Sequence, residues 1–321
     1  MAAPAPPMAT EFMFNLANRL KTEKGLAESS VLQYLQTLVK LNGDKPFKNL
    51  AWTRKFEDIH KRLEGYADST KMSYLAVLTS AVSLYKHLKK AHAHWASQVA
   101  AAKGVLAEKP VHEKSEKQEE NWIDWDAVLK KKNELASQVK PLLSLKRPLD
   151  AREFDIALSH LVLSLYTEMP PRRNKDFMAT VVVKSHNSRM PETMNYLDLK
   201  NKQFIFNVYK TAKTYGQQVV AIPETLMRTI KNFIKLHPKK DDVAFALLTK
   251  PNGAPLSSVN SITRILNRLF GKNVGSSMLR HIFLSSKYGK DSEAARIESE
   301  RKATADAMSH SVGQQNEYIK E

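Results

Sequence analysis

Residues 196–236, YLDLKNKQFIFNVYKTAKTYGQQVVAIPETLMRTIKNFIKL, change their hydrophobic period twice. Apolar and β-branched residues dominate Tyr196–Leu199, Gln203–Val208 and Gln218–Ile222, which predicts three short strands. Lys200–Lys202 and a loop containing Gly216 separate them. Pro223 then opens a helix over Glu224–Leu236, where Leu226, Ile230, Phe233 and Ile234 return at helical spacing. Short strands joined by short connections predict a small antiparallel sheet.

On both sides of this stretch the pattern is helical. Upstream, Ala151–Glu168 presents Phe154, Ala157, Leu158, Leu161, Val162 and Leu165 as one apolar face, and Trp122–Val139 is a further helical segment. Downstream, Ser257 or Ser258 opens a helix that Gly271 closes, and Gly275 and Ser276 precede another beginning near Ser277. Asp291–Glu321 is expected to be helical to about Met308 and irregular beyond it. The fold class is therefore mainly α with a small antiparallel sheet, an α+β arrangement.

The N-terminal third, Glu11 to about Leu106, is helical throughout. Val31, Tyr34, Leu35, Leu38 and Leu41 form one stripe behind the capping candidates Ser29 and Ser30. Tyr74, Leu75, Leu78, Ala81, Val82, Tyr85 and Leu88 form a second, behind Ser69 and Thr70. Lys71, Lys86, Lys89 and Lys90 fall on the solvent side, giving a basic face able to lie on phosphates. Ala107–Asn121 (AEKPVHEKSEKQEEN) loses the apolar period and reads as an exposed linker. The expected organisation is a helical domain over 1–106, a linker over 107–121 and a second domain over 122–321.

The 321 residues carry 50 Lys and Arg against 33 Asp and Glu, a formal charge of +17. That excess points to a polyanionic partner such as nucleic acid, against the alternatives of a basic protein that is merely soluble or one drawn to anionic membranes. The absence of cysteine excludes disulfides, thiolate nucleophiles, cysteine-ligated zinc and iron–sulfur clusters. No apolar run has the length of a membrane span, and Met1–Thr10 lacks the form of a signal peptide. A soluble, intracellular protein without a membrane partner is expected, or one packaged inside a virus particle.

No phosphate-cradling glycine loop and no paired zinc histidines on one helix are present, so neither a cofactor nor a metal is expected. His87, His92 and His94 lie close in sequence, but their spacing does not stack three imidazoles. Four segments remain, each with an ordinary structural reading of its own. Pro170-Pro-Arg-Arg-Asn-Lys-Asp-Phe177 is a basic turn after a helix, and Tyr209-Lys-Thr-Ala-Lys213 is a lysine-bearing hairpin tip. Ser276-Ser-Met-Leu-Arg-His281 is a helix start with an arginine, and Ser309-His-Ser-Val-Gly-Gln-Gln-Asn-Glu-Tyr318 ends in a tyrosine.

Taken in order, these segments resemble the tyrosine recombinase (integrase) family. The resemblance covers residue 122 to the end, and the helical N-terminal part is similar to the family's core-binding domain. Val274–Ser286 resembles recombinases of virophages and eukaryotic mobile elements. It implies DNA cleavage and rejoining through a 3′-phosphotyrosine without metal or ATP, by copies that self-associate as dimers or tetramers on DNA. Arg173, with Asp176 three positions on, takes the first arginine's role, and Arg172 is the runner-up. Lys210 is the general acid with Lys213 as runner-up, Arg280 the second arginine, His310 the histidine and Tyr318 the nucleophile.

Three departures from the family pattern stand out. Ser277 replaces the usual histidine, either as a phosphate contact or as the cap of the helix carrying Arg280. Tyr318 follows His310 by eight positions, one fewer than is common. The sequence ends three residues after Tyr318, which implies that the helix many relatives use to clasp a neighbour is missing or was removed. Type IB topoisomerases share this residue set, and a catalytically inactive DNA-binding relative is the third alternative.

Overall fold

A computed structural model describes residues 10–108, 113–178, 180–289 and 293–307. The chain divides into two units on either side of the Glu113–Lys114 bond.

The first unit is helical: α1 (Glu11–Thr22), α2 (Glu28–Leu41), α3 (Phe56–Leu63), α4 (Asp68–Val82) and α5 (Lys89–Ala107). Thr10 starts α1, its hydroxyl accepting from Met13 N and donating to the Phe47 carbonyl at 2.6 Å. Met13, Leu16 and Leu20 thereby face the core. The residues expected to cap α2 and α4, Ser29, Ser30, Ser69 and Thr70, lie inside the first turns instead, behind Ala27 and Ala67 in extended backbone. The stripe ending at Leu88 is not one helix. After α4 the chain leaves helical geometry at Tyr85 (φ −118°, ψ 106°), passes a 3₁₀ turn and re-enters helix at Lys89. Trp95 of α5 is fully buried and donates Nε1–H to the Thr53 carbonyl at 3.0 Å. Truncating so large a buried ring costs about 3–5 kcal/mol.

The second unit begins with α6 (Glu116–Asn121), an exposed turn-and-a-half within the stretch read as a linker. Ser115 and Gln118 form its capping box. There follow α7 (Trp125–Leu142), α8 (Ala151–Thr167) and α9 (Asn174–Met178). Next come β1 (Thr180–Val183), β2 (Asn195–Asp198), β3 (Gln203–Phe206), α10 (Ala212–Tyr215) and β4 (Gln218–Ala221). The chain continues through α11 (Glu224–Leu236), β5 (Ala244–Ala246), α12 (Val259–Phe270), α13 (Ser276–Tyr288) and α14 (Glu293–Ala307).

The architecture is mainly helical with one small sheet of order β4-β3-β2-β1-β5. The strands expected from the sequence are β2, β3 and β4, and their two pairings are antiparallel. Two further strands extend the sheet: β5 pairs antiparallel with β1, but β1 pairs parallel with β2, so the sheet is mixed. Alternation along β3 explains its burial on both faces. Phe204 and Phe206 pack with Phe177 in the main core, while Ile205 turns to Tyr196 and Val183. Helix α8 is the hub of the unit. Asp150 and Glu153 form its capping box, and it buries residues on most of its circumference against α7, α11 and α12. Ser258 stands at the N-cap of α12, and Gly271 at its C-cap adopts φ +63°, a left-handed position that suits glycine.

Candidate functional site

The prolines after α8 stop the helix and bring Arg172 and Arg173 to the start of α9. A buried polar relay fixes that start. Tyr166 of α8 donates to Asn174 Oδ1 at 2.6 Å, and Asn174 Nδ2 donates to the Val259 carbonyl at 3.0 Å and to Thr263 Oγ1 at 2.9 Å. Two helices, α8 and α12, therefore hold one residue of α9 beside the arginine pair.

The two neighbouring arginines are used differently. Arg172 donates to Asp176 Oδ2 at 2.9 Å and to Gln218 Oε1 at 2.9 Å, and its guanidinium lies 4.1 Å from the centre of the Phe206 ring. The Arg173 guanidinium has no hydrogen bond among the described residues, and it lines a cleft of about 250 Å³ together with Arg172 and Arg280. Arg280 enters from α13, its Nε donating to the Ser276 carbonyl at 3.2 Å. Asp176 is the carboxylate lining this cleft. Burial pushes the Asp176 carboxyl up, against the pull of Arg172, Arg173 and Arg280. Burial and then the proximity of Arg173 lower Arg280, yet a guanidinium remains charged at any working pH.

The β3–β4 connection forms another wall. Asn195 is completely buried and uses its whole amide: Nδ2 donates to the Asp176 and Val208 carbonyls, and Oδ1 accepts from Asn207 N and Val208 N, all at 2.7–2.9 Å. The base of the connection is thereby tied to α9. Tyr209 donates to the Gly216 carbonyl at 2.6 Å and closes the connection on itself. Gly216 has φ +64°, which a side chain would resist. Thr211 and the exposed ring of Tyr215 line the cleft with Tyr209.

Arg172, Arg173 and Arg280 thus come together from distant segments. Lys210 is exposed on the same connection but does not line the cleft, and Lys213 is exposed one turn further on. The expected hairpin tip is instead a longer connection carrying α10. Ser277 is exposed and also outside the cleft lining; the N-cap of α13 is Gly275, so Ser277 occupies the second helical position and does not cap. His310 and Tyr318 lie outside the described residues. In the first unit, Lys86, Lys89 and Lys90 are exposed near the start of α5. Lys71 lies elsewhere, sharing a cleft with Ala101 and Ala102, roughly 18 Å further along α5 at 1.5 Å per residue. The four lysines do not form one patch.

Sequence reasoning missed Asn174, Asn195 and Gln218. Asparagine beside a turn gives no local sign of burial; only the relays above reveal it. Three guanidiniums around one carboxylate make a cleft that favours an anion, and planar N–H forks match phosphate oxygens. Among the described residues, no helix is long and apolar enough to cross a membrane.

Comparison with known proteins adds one structural likeness. The chain is similar to the crystal structure of XerA recombinase, with a TM-score of 0.31 and 11% identity over 86% of this chain and 83% of that one. No family model matches, and no curated protein sequence does.

Proposed function

We propose that the protein is a site-specific DNA recombinase that cuts and rejoins DNA through a covalent 3′-phosphotyrosine at Tyr318. The observation that carries this reading is the convergence of Arg173 and Arg280 on one cleft, with the Arg173 guanidinium uncommitted while Arg172 is held by Asp176 and Gln218. A phosphodiester under attack concentrates negative charge on its non-bridging oxygens, and two fixed guanidiniums stabilise that charge without reorganising. The motif order read from the sequence supplies the other roles. Tyr318 attacks in line, Lys210 protonates the departing 5′-oxygen, and His310 hydrogen-bonds the phosphate or assists the tyrosine's proton. The covalent intermediate retains the energy of the broken bond, so resealing needs no ATP.

On this reading the first unit grips DNA, two or four copies assemble on the duplex, and the reaction serves integration by a viral or other mobile element wherever its DNA resides. Incubation with a nicked suicide substrate, from which the strand beyond the nick diffuses away, tests the chemistry. A covalent protein–DNA adduct is the expected product. Tight binding with no adduct would leave an inactive DNA-binding relative, and relaxation of supercoils by a monomer would leave a topoisomerase.

A further inference from the structure

The first unit holds a pair of histidines that the proposed DNA chemistry does not use. His60 on α3 and His94 on α5 are 34 positions apart in sequence, and their Nε2 atoms stand 3.4 Å apart. We propose that His60 and His94 form a two-imidazole binding site for a divalent transition-metal ion of the zinc class, bridging α3 and α5. Two imidazole nitrogens bound to one tetrahedral zinc at the usual bond length lie about 3.3 Å from each other. The observed spacing meets that requirement with little movement of either ring.

The surroundings fix the rings as a metal site needs. His94 stacks on Phe56 with centroids 3.9 Å apart and planes at 24°. The edge of Trp95 meets His94 at 4.6 Å, and Trp95 lies 5.3 Å from His60. His60 also lines a cleft of about 420 Å³, whereas His94 does not line it. Glu64, one turn beyond His60, and Gln98, one turn beyond His94, line the same cleft, as do Asp68 and Lys71. Among the described residues, no group of three or more histidine, cysteine or acidic side chains is arranged to hold an ion. The site therefore rests on the two imidazoles, with water or an inward swing of Glu64 completing the shell. This assignment does not depend on the DNA reaction.

The test uses the untagged full-length chain. Calorimetric titration with Zn²⁺ is expected to show one ion per chain, and His60→Gln or His94→Gln should weaken that binding at least about tenfold. His87→Gln and His92→Gln should leave it unchanged. Co²⁺ on the native chain should give the intense visible bands of a four-coordinate ion, a readout that needs no variant to fold. Absence of saturable binding, unchanged affinity in either His60→Gln or His94→Gln with native circular dichroism, or the weak Co²⁺ spectrum of a six-coordinate ion would each overturn the assignment.

Discussion

Arg172, just before α9, and Asp176, within it, form a largely buried ion pair at 2.9 Å, with 19% and 4% of their side chains exposed. Arg173, between them in sequence, has no such bond among the described residues and faces the cleft. Adjacent arginines thus differ in commitment, one held in an ion pair and the other left to the cleft. Removing one partner of a buried pair strands the other charge, so Arg172→Ala should destabilise the second unit by about 3 kcal/mol. The Asp176 carboxyl, already raised by burial and relieved of its partner, then favours its proton. A raised carboxyl contributes stability at low pH and loses it as pH rises through its folded pKa, so the deficit should grow from acidic to neutral pH. Arg173→Ala should leave the denaturation midpoint nearly unchanged while abolishing adduct formation. Equal loss of stability in the two variants would remove the division of labour.

His237 gives a separate pH dependence. It is 2% exposed; its Nδ1 accepts from Lys239 N at 3.0 Å, and its Nε2 meets Thr249 Oγ1 at 3.0 Å. An acceptor Nδ1 requires the neutral ring, and burial lowers the pKa to about 4. The unfolded chain, with an ordinary histidine, takes up its proton first as pH falls. Stability is therefore full above about pH 6.5, declines through the window and levels off below about pH 4, a loss of roughly 3 kcal/mol. Denaturant titrations across that range should show it, and His237→Asn, less stable at neutral pH, should flatten the slope.

The sequence made the periodic elements legible. The limits of α11 follow from Pro223 and a strict apolar stripe, and β3 from alternating aromatic and aliphatic residues. It left β1 and β5 unseen, because a TVVV run beside a helix and a three-residue AFA strand gain their identity from distant pairing. The candidate site was legible as residue order but not as commitment. Nothing local says that Arg172, rather than Arg173, reaches Gln218 across 46 positions. In the same way, the local cluster His87, His92 and His94 gave no hint of His60, the residue that meets His94.

Lys210 should matter to the rate of cleavage and little to stability or DNA affinity, because its side chain is exposed and its proton is needed only in the transition state. Lys210→Ala is expected to slow single-turnover cleavage by about a hundred- to ten-thousandfold. A substrate with 5′-bridging sulfur has a leaving group that hardly needs protonation and should restore the rate. Rescue of Lys213→Ala instead would move the acid to Lys213, and rescue of neither would remove both.

Ser277 can now be tested without a capping contribution, since Gly275 holds the N-cap position of α13. Ser277→Ala should shift stability by no more than about 0.5 kcal/mol. A cleavage defect in the intact fold would then report a phosphate contact made on DNA binding. An unchanged single-turnover rate would take Ser277 out of the site.

Tyr318 lies outside the described residues, so its assignment rests on motif order and on the lack of another suited nucleophile: the chain has no cysteine. Two tyrosines line the arginine cleft. The hydroxyl of Tyr209 is held by the Gly216 carbonyl, which leaves Tyr215 as the competitor. Tyr318→Phe removes one oxygen and keeps the ring, so folding and DNA binding should be preserved while adduct formation falls to background. Tyr215→Phe should still form the adduct. Mass spectrometry of the trapped wild-type complex should find the nucleotide on the peptide containing Tyr318, joined through a 3′-phosphate and leaving a free 5′-hydroxyl on the other DNA end. An adduct that survives in Tyr318→Phe and disappears in Tyr215→Phe would transfer the chemistry to the β3–β4 connection. A 5′-phosphate linkage would overturn the reaction class itself, because the leaving group that Lys210 is proposed to protonate would then be the wrong oxygen.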